Sequence, residues 1–181
     1  KVGLPDINMN NPHNMWTNRQ QTLIFQTEWF DDKLTVFNRQ TGALVRQQEV
    51  GPAPAHVMTR TDTDQVHVSL NAANSVVELT PNAKLIERDI LVGDFGTDTH
   101  PHAHWMSADG KMMVTPNVDT ENSTLYDFTT DQIADREPVG HFPIATGMMP
   151  DSSKYYVANF LDSTLSVINI VAGTPPSLTP N

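Results

Sequence analysis

The 181-residue chain is long enough for one domain with its own core, and 38% of its residues are hydrophobic. A formal net charge of −10, with no basic stripe to neutralise phosphates, excludes nucleic acid as a partner. The absence of cysteine excludes disulfide frameworks, Cys-ligated zinc, iron–sulfur clusters and thiol nucleophiles.

No run approaches the ~18 apolar residues of a membrane span, and the first five residues lack the apolar core of a signal peptide. Thirteen prolines and nine glycines announce frequent chain reversal. In chain order, Leu23-Ile24-Phe25 is followed by Leu34-Thr35-Val36-Phe37 and then by Leu44 to Val50, which ends in Val50-Gly51. The turn Thr61-Asp62-Thr63-Asp64 leads into Val66-His67-Val68, then Val76-Val77-Glu78-Leu79, then Leu85 to Ile90 and Val92-Gly93. Ser107-Ala108-Asp109-Gly110-Lys111 opens the third set, with Met112-Met113-Val114, Leu125-Tyr126-Asp127-Phe128 and Val139-Gly140. Pro150-Asp151-Ser152-Ser153-Lys154 opens the fourth, with Tyr155-Tyr156-Val157 and Leu165-Ser166-Val167-Ile168.

Short β-branched and aromatic runs between turn residues predict antiparallel strands, because Asp and Gly suit tight reversals. With the strand before each Asp-rich turn there are four per repeat, and the repeat recurs at roughly 43 residues, the content of a propeller blade. The expected fold is therefore an all-β β-propeller of about four 4-stranded blades, at 12–51, 52–94, 99–141 and 142–181. Residues 1–11 are expected to be the end of a preceding blade, since Val2-Gly3 stands before Pro12-His13 as Val92-Gly93 stands before Pro101-His102. The last repeat breaks off before a clear fourth strand, which predicts a piece of a larger propeller.

The pattern Tyr156-Val157-Ala158-Asn159 followed by Ser166-Val167-Ile168-Asn169, and the Ser-Ala-Asp-Gly-Lys and Pro-Asp-Ser-Ser-Lys turns, resemble the YVTN β-propeller repeat. Val68-Ser69-Leu70-Asn71 is a weaker copy, and Gln26-Thr27-Glu28 departs most. The resemblance covers nearly the whole chain. It implies a WD40-like propeller akin to YncE-like periplasmic proteins, haem d1-binding domains and the nitrous oxide reductase propeller. A periplasmic or secreted setting is what it implies for location.

Aligned on Phe25, Val68 and Val114, His13, His56 and His102 each lie twelve residues upstream, just after Pro12, Pro54 and Pro101. That position opens the innermost strand, so three imidazoles would converge on the central channel. Neutral imidazole suits transition metals, and copper is the expected ion, with His104 as an auxiliary on the same strand face as His102. The competing reading is structural, with each histidine bonding a neighbouring backbone carbonyl. Trp16 and Trp105, three residues after His13 and His102, are either core or cofactor-stacking residues.

His67 reads as a strand residue that packs or faces solvent, and His141 as part of an interblade loop on the channel face. Met148-Met149 fills core gaps or offers thioethers to Cu(I). Asp62 and Asp64 are better explained by a turn than by calcium, and Asn122-Ser123-Thr124 matches a glycosylation sequon only formally. Nucleophile elbows, phosphate loops and HExxH helices are absent from the sequence. Three functions compete. A binding propeller with a histidine metal site stands first, and an interaction scaffold for a protein partner or the remaining blades second. A lactonase-type hydrolase is disfavoured because no acids fall in register beside the channel.

Overall fold

The computed structural model describes residues 11–94 and 96–170. Among the described residues fifteen strands, all antiparallel, form four sheets in sequence order. Blade 1 holds β1 (Pro12–Thr17), β2 (Leu23–Glu28), β3 (Lys33–Asn38) and β4 (Leu44–Glu49). Blade 2 holds β5 (Pro54–Thr59), β6 (Val66–Leu70), β7 (Ser75–Leu79) and β8 (Ile86–Leu91). Blade 3 holds β9 (Trp105–Met106), β10 (Met112–Asn117), β11 (Asn122–Asp127) and β12 (Gln132–Pro138). Blade 4 shows three strands among the described residues, β13 (Pro143–Met148), β14 (Lys154–Asn159) and β15 (Thr164–Asn169). The expectation that residues 1–11 close a preceding blade falls, but for Asn11, outside the described residues.

Each sheet is a simple meander because every connection is a short turn, which only antiparallel neighbours allow. Three hydrophobic clusters hold the blades together, one at each interface. Phe25, Leu34 and Val36 of blade 1 meet Val57, Val66 and Val68 of blade 2. Met58, Val76 and Ile90 meet Met106, Met113 and Tyr126 of blade 3. Val114 and Leu125 meet Met148, Tyr155, Val157 and Ile168 of blade 4.

An inner blade is covered on both sides, so β6 and β7 are buried at every residue. Alternation sends Val66, Val68 and Leu70 toward blade 1 and leaves His67 and Ser69 facing blade 3. His67 is therefore a core residue and needs a partner: its Nε2 lies 2.9 Å from the Glu78 carboxylate, which also takes Arg88 Nε at 2.9 Å. Burial alone would raise Glu78, but those two bonds bring its pKa down to about 2.

The recurring Val-Gly pairs end the outer strands where the chain turns back to the channel. At Gly140 a Cβ would sit 2.5 Å from the Asp162 carboxylate and 2.7 Å from Asn159, so only glycine fits. Asp62 and Asp64 act in their turn, Asp62 receiving Arg60 and Lys111 and Asp64 receiving the Arg19 N–H.

Candidate ligand pocket at the channel mouth

Three prolines open innermost strands, a fourth, Pro101, forms an isolated bridge just before β9, and together they set the register of the site. Pro12, Pro54, Pro101 and Pro143 pair with Glu28, Leu70, Asn117 and Asn159, the last residue of the second strand in each blade. The residue before each proline, namely Asn11, Ala53, His100 and Phe142, has a left-handed φ between 48° and 58°. Its carbonyl accepts the N–H of the residue seventeen positions after the proline: Trp29 (3.1 Å), Asn71 (2.9 Å), Val118 (3.1 Å) and Phe160 (3.0 Å). This fourfold device pins four side chains to one end of the channel.

Those four residues line one pocket of about 310 Å³, joined by His102, Ile144 and Phe142. Phe142 and Phe160 stand 6.1 Å apart, while Trp29 lies 4.9 Å from His13 and 6.0 Å from His102. Phe160 is 62% exposed and Phe142 43%, so the rim presents aromatic surface to solvent. None of these three aromatic residues stood among the sequence candidates, although the constant spacing from the prolines carried the signal.

Just inside the pocket, a β-bulge follows each leading proline in blades 1, 2 and 4 and turns the next side chains toward the channel. A hydroxyl fills the gap. The Asn14 N–H donates to Thr27 Oγ1, which itself donates to the Ala55 carbonyl of blade 2 at 2.9 Å. Ser69 repeats the arrangement, accepting the His56 N–H and donating to the His102 carbonyl of blade 3.

The proline register corrects the histidine alignment. His13 and His102 each follow their proline directly, and Ala55 holds that place in blade 2, so His56 sits one residue deeper. In the two in register, His13 Nδ1–H donates to the Ala55 carbonyl at 3.0 Å, and His102 Nδ1–H to the Ile144 carbonyl at 2.8 Å. Both are bonds to the next or following strand opening, and they leave each Nε2 as a free acceptor. The rings of His13 and His102 meet edge to face at 5.3 Å.

His104 does not share a face with His102. It is fully buried and meets His56 instead, at 5.1 Å and perpendicular. Neither His104 nitrogen nor His56 Nδ1 has a hydrogen-bond partner. Burial lowers the His56 pKa to about 4, helped by His102 and His13 nearby, and holds His104 well below the ordinary value. Burial also lowers His102, against the pull of the Ile144 carbonyl. These three imidazoles are neutral at pH 7.

The histidines thus form two pairs rather than a triad. Among the described residues no group of three or more His, Asp or Glu side chains is placed to hold one metal ion. What the donor set offers a metal is two imidazoles with their tautomers fixed, at His13 and His102. Trp16 and Trp105 pack edge to face at 6.2 Å between the hydrophobic clusters. His141 lies at the rim, 3.2 Å from Glu121, and His100 lies 2.8 Å from Asp119.

No protein-family model and no curated protein matches the chain. Solved structures similar to it include the hydrazine synthase of Kuenenia stuttgartiensis, with a TM-score of 0.73 and 17% identity over 90% of this chain and 52% of that one. A functionally unknown protein from Desulfotomaculum acetoxidans DSM 771 gives 0.76 and 12% identity over 93% and 55%. A candidate 6-phosphogluconolactonase from Bacteroides uniformis gives 0.76 and 14% over 89% and 51%. The chain spans about half the length of these structures. At such identities the likeness is one of fold, and with the four consecutive antiparallel sheets it gives this chain the β-propeller fold.

Proposed function

We propose that the chain is a binding propeller segment of YVTN type, and that its ligand sits in the pocket at the channel mouth. One observation carries this reading: all four blades place the residue at the same register position, seventeen after the leading proline, around a single cavity. A pocket of about 310 Å³ with mostly apolar walls and two polar groups, His102 and Asn71, has the make-up of a small-molecule site. A ligand-detected NMR screen of small fragments against the chain, beside a Trp29→Ala/Phe160→Ala variant, tests it. Hits that compete for one site and vanish in the variant are expected. Hits that persist in the variant, or no hits from a folded chain, would overturn the reading.

A metal site is the second reading, favoured by the two Nδ1–H bonds to carbonyls. A backbone acceptor on one ring nitrogen orients the other as a ligand, which is how metal-binding histidines are commonly held. Copper bound by His13 and His102 would need further donors from outside this pair. Titration with Cu(II) and with Cu(I) at pH 7, followed by a His13→Ala/His102→Ala variant, separates the readings. One equivalent bound and then lost in the variant supports copper, whereas a metal-free chain under both conditions removes it.

A further inference from the structure

The pocket reading leaves the ligand's chemistry open, and the electrostatics of the mouth narrow it. We propose that the pocket takes a small organic cation, an alkylated ammonium held against Trp29, Phe142 and Phe160. This rests on the pocket being a ligand site, and it commits to a free small molecule because the cavity lies at the low end of the range for small-molecule sites.

Three features of the site point the same way. Aromatic faces attract cations through the ring quadrupole, and three rings supplied by blades 1 and 4 stand around this cavity. Nothing cationic competes with a guest, since the lining holds no lysine or arginine and His102 is neutral at pH 7. The connections at this end of the blades, 29–32, 50–53, 71–74, 92–104, 118–121, 139–142 and 160–163, contain no Lys or Arg. They do contain Asp31, Asp32, Asp94, Asp98, Asp119, Glu121 and Asp162, which outnumber the two cations that reach this end, Arg136 paired with Asp94 and Lys33 at the start of β3, and so leave a negative field over the mouth.

An anion finds no cationic partner in this lining. The backbone N–H groups of Trp29, Asn71, Val118 and Phe160, which might have formed an anion cradle, are all given to carbonyls. The Nδ1–H of His102 is likewise donated to Ile144. What remains for a guest includes the His102 Nε2 lone pair and the carboxamide oxygen of Asn71, whose N–H goes to the His100 carbonyl; both suit a hydroxyl or ammonium donor on the cation.

The test uses three probes of nearly one shape: choline, its neutral isostere 3,3-dimethylbutan-1-ol, and the anion 3,3-dimethylbutanoate. Each is titrated into the full chain by calorimetry at pH 7.5 in low salt and again in 0.5 M NaCl. Choline is expected to bind about tenfold more tightly than the neutral isostere, the anion to bind most weakly, and the choline preference to shrink in high salt. Trp29→Ala should lose at least tenfold in choline affinity and Trp29→Phe much less. Should Trp29→Ala unfold, the exposed Phe160→Ala gives the same readout without touching the core. Equal or better binding of the neutral isostere would overturn the cation inference and leave the pocket reading standing. Binding of none of the three, by chain shown to be folded, would overturn the cation inference, while the fragment screen decides the pocket separately.

Discussion

The two ends of the propeller spend their charges differently. At the end away from the pocket, cationic side chains bridge consecutive blades. The Arg19 guanidinium of blade 1 reaches the Thr61 carbonyl of blade 2, Lys111 of blade 3 reaches Asp62 of blade 2, and Arg88 of blade 2 joins Glu78 to Asp131 of blade 3. Arg60 adds a stack over the Phe128 ring at 4.1 Å. At the pocket end the acids answer mainly to histidines and backbone N–H groups, as Asp119 does to His100 and Asp162 to the His141 N–H. Asp94, paired with Arg136, is the exception. One end uses charge to hold blades together; the other keeps it facing solvent and a cavity. Substitutions at the two ends should therefore separate stability from binding.

The largest effect is expected at the far end. Arg88→Ala leaves Glu78, only 5% exposed at its side chain, with the His67 hydrogen bond but without its cationic partner. Removing one partner from a buried ionic network is costly, and with Arg88 itself one-third exposed the expected loss is about 2–3 kcal/mol. Urea denaturation measures it. Ligand affinity in the folded variant should stay within twofold of the parent, and a large affinity loss would break the division between the ends.

Next comes the acid response of the histidines under the pocket. His56 takes up a proton near 6.5 when unfolded but only near 4 when folded. Between those values the unfolded state binds more protons, so stability falls as pH drops through that window. From pH 7 to pH 5 the His56 contribution amounts to about 2 kcal/mol lost, and His104 acts in the same direction. His104→Leu removes two buried nitrogens that have no partner, so it should match or exceed the parent in stability and show a shallower acid loss. Denaturation curves at pH 7, 6 and 5 decide it, and a variant with unchanged acid sensitivity would place the effect elsewhere.

Much of the fold was legible because its causes are local. Alternating runs and Asp-Gly turns specify the hairpins, and a recurring hairpin pair specifies the blade. The site was less legible for a definite reason. Counting from the apolar centre of each second strand assumes equal strand lengths, yet β6 has five residues where β2 and β10 have six. That one-residue difference put His56 in line with His13 and His102 and hid the true series of His13, Ala55, His102 and Ile144. In blade 3, residues 102–104 run between the isolated Pro101 bridge and β9, outside any regular strand, so the alternation that had joined His104 to His102 does not apply there. Counting from the prolines instead gives the pocket residues directly, because the backbone bond from residue seventeen is anchored there.

A smaller test concerns how the mouth is held open. Thr27 Oγ1 accepts from Asn14 in its own blade and donates to Ala55 in the next, filling the bulge that turns His13 inward. Thr27→Val keeps the shape and leaves the Asn14 N–H without its acceptor, a loss of about 1–2 kcal/mol. Choline affinity should fall modestly with it, because Trp29 rests on the His13 ring that the bulge positions.

The smallest effect belongs to the rim. His141 is 63% exposed at its side chain and faces Glu121, itself 48% exposed, a kind of pair worth little to stability. His141→Ala should change the denaturation midpoint hardly at all, within about 0.5 kcal/mol. The binding measurement uses the other member of the pair. Glu121→Gln removes one carboxylate from the mouth without touching the cavity wall. If the field over the mouth draws in a cation, choline should bind up to about twofold more weakly in low salt, with the loss vanishing in 0.5 M NaCl. A loss that survives the salt would mean that the loop moved rather than that the charge acted, and the field would then have no part in the affinity.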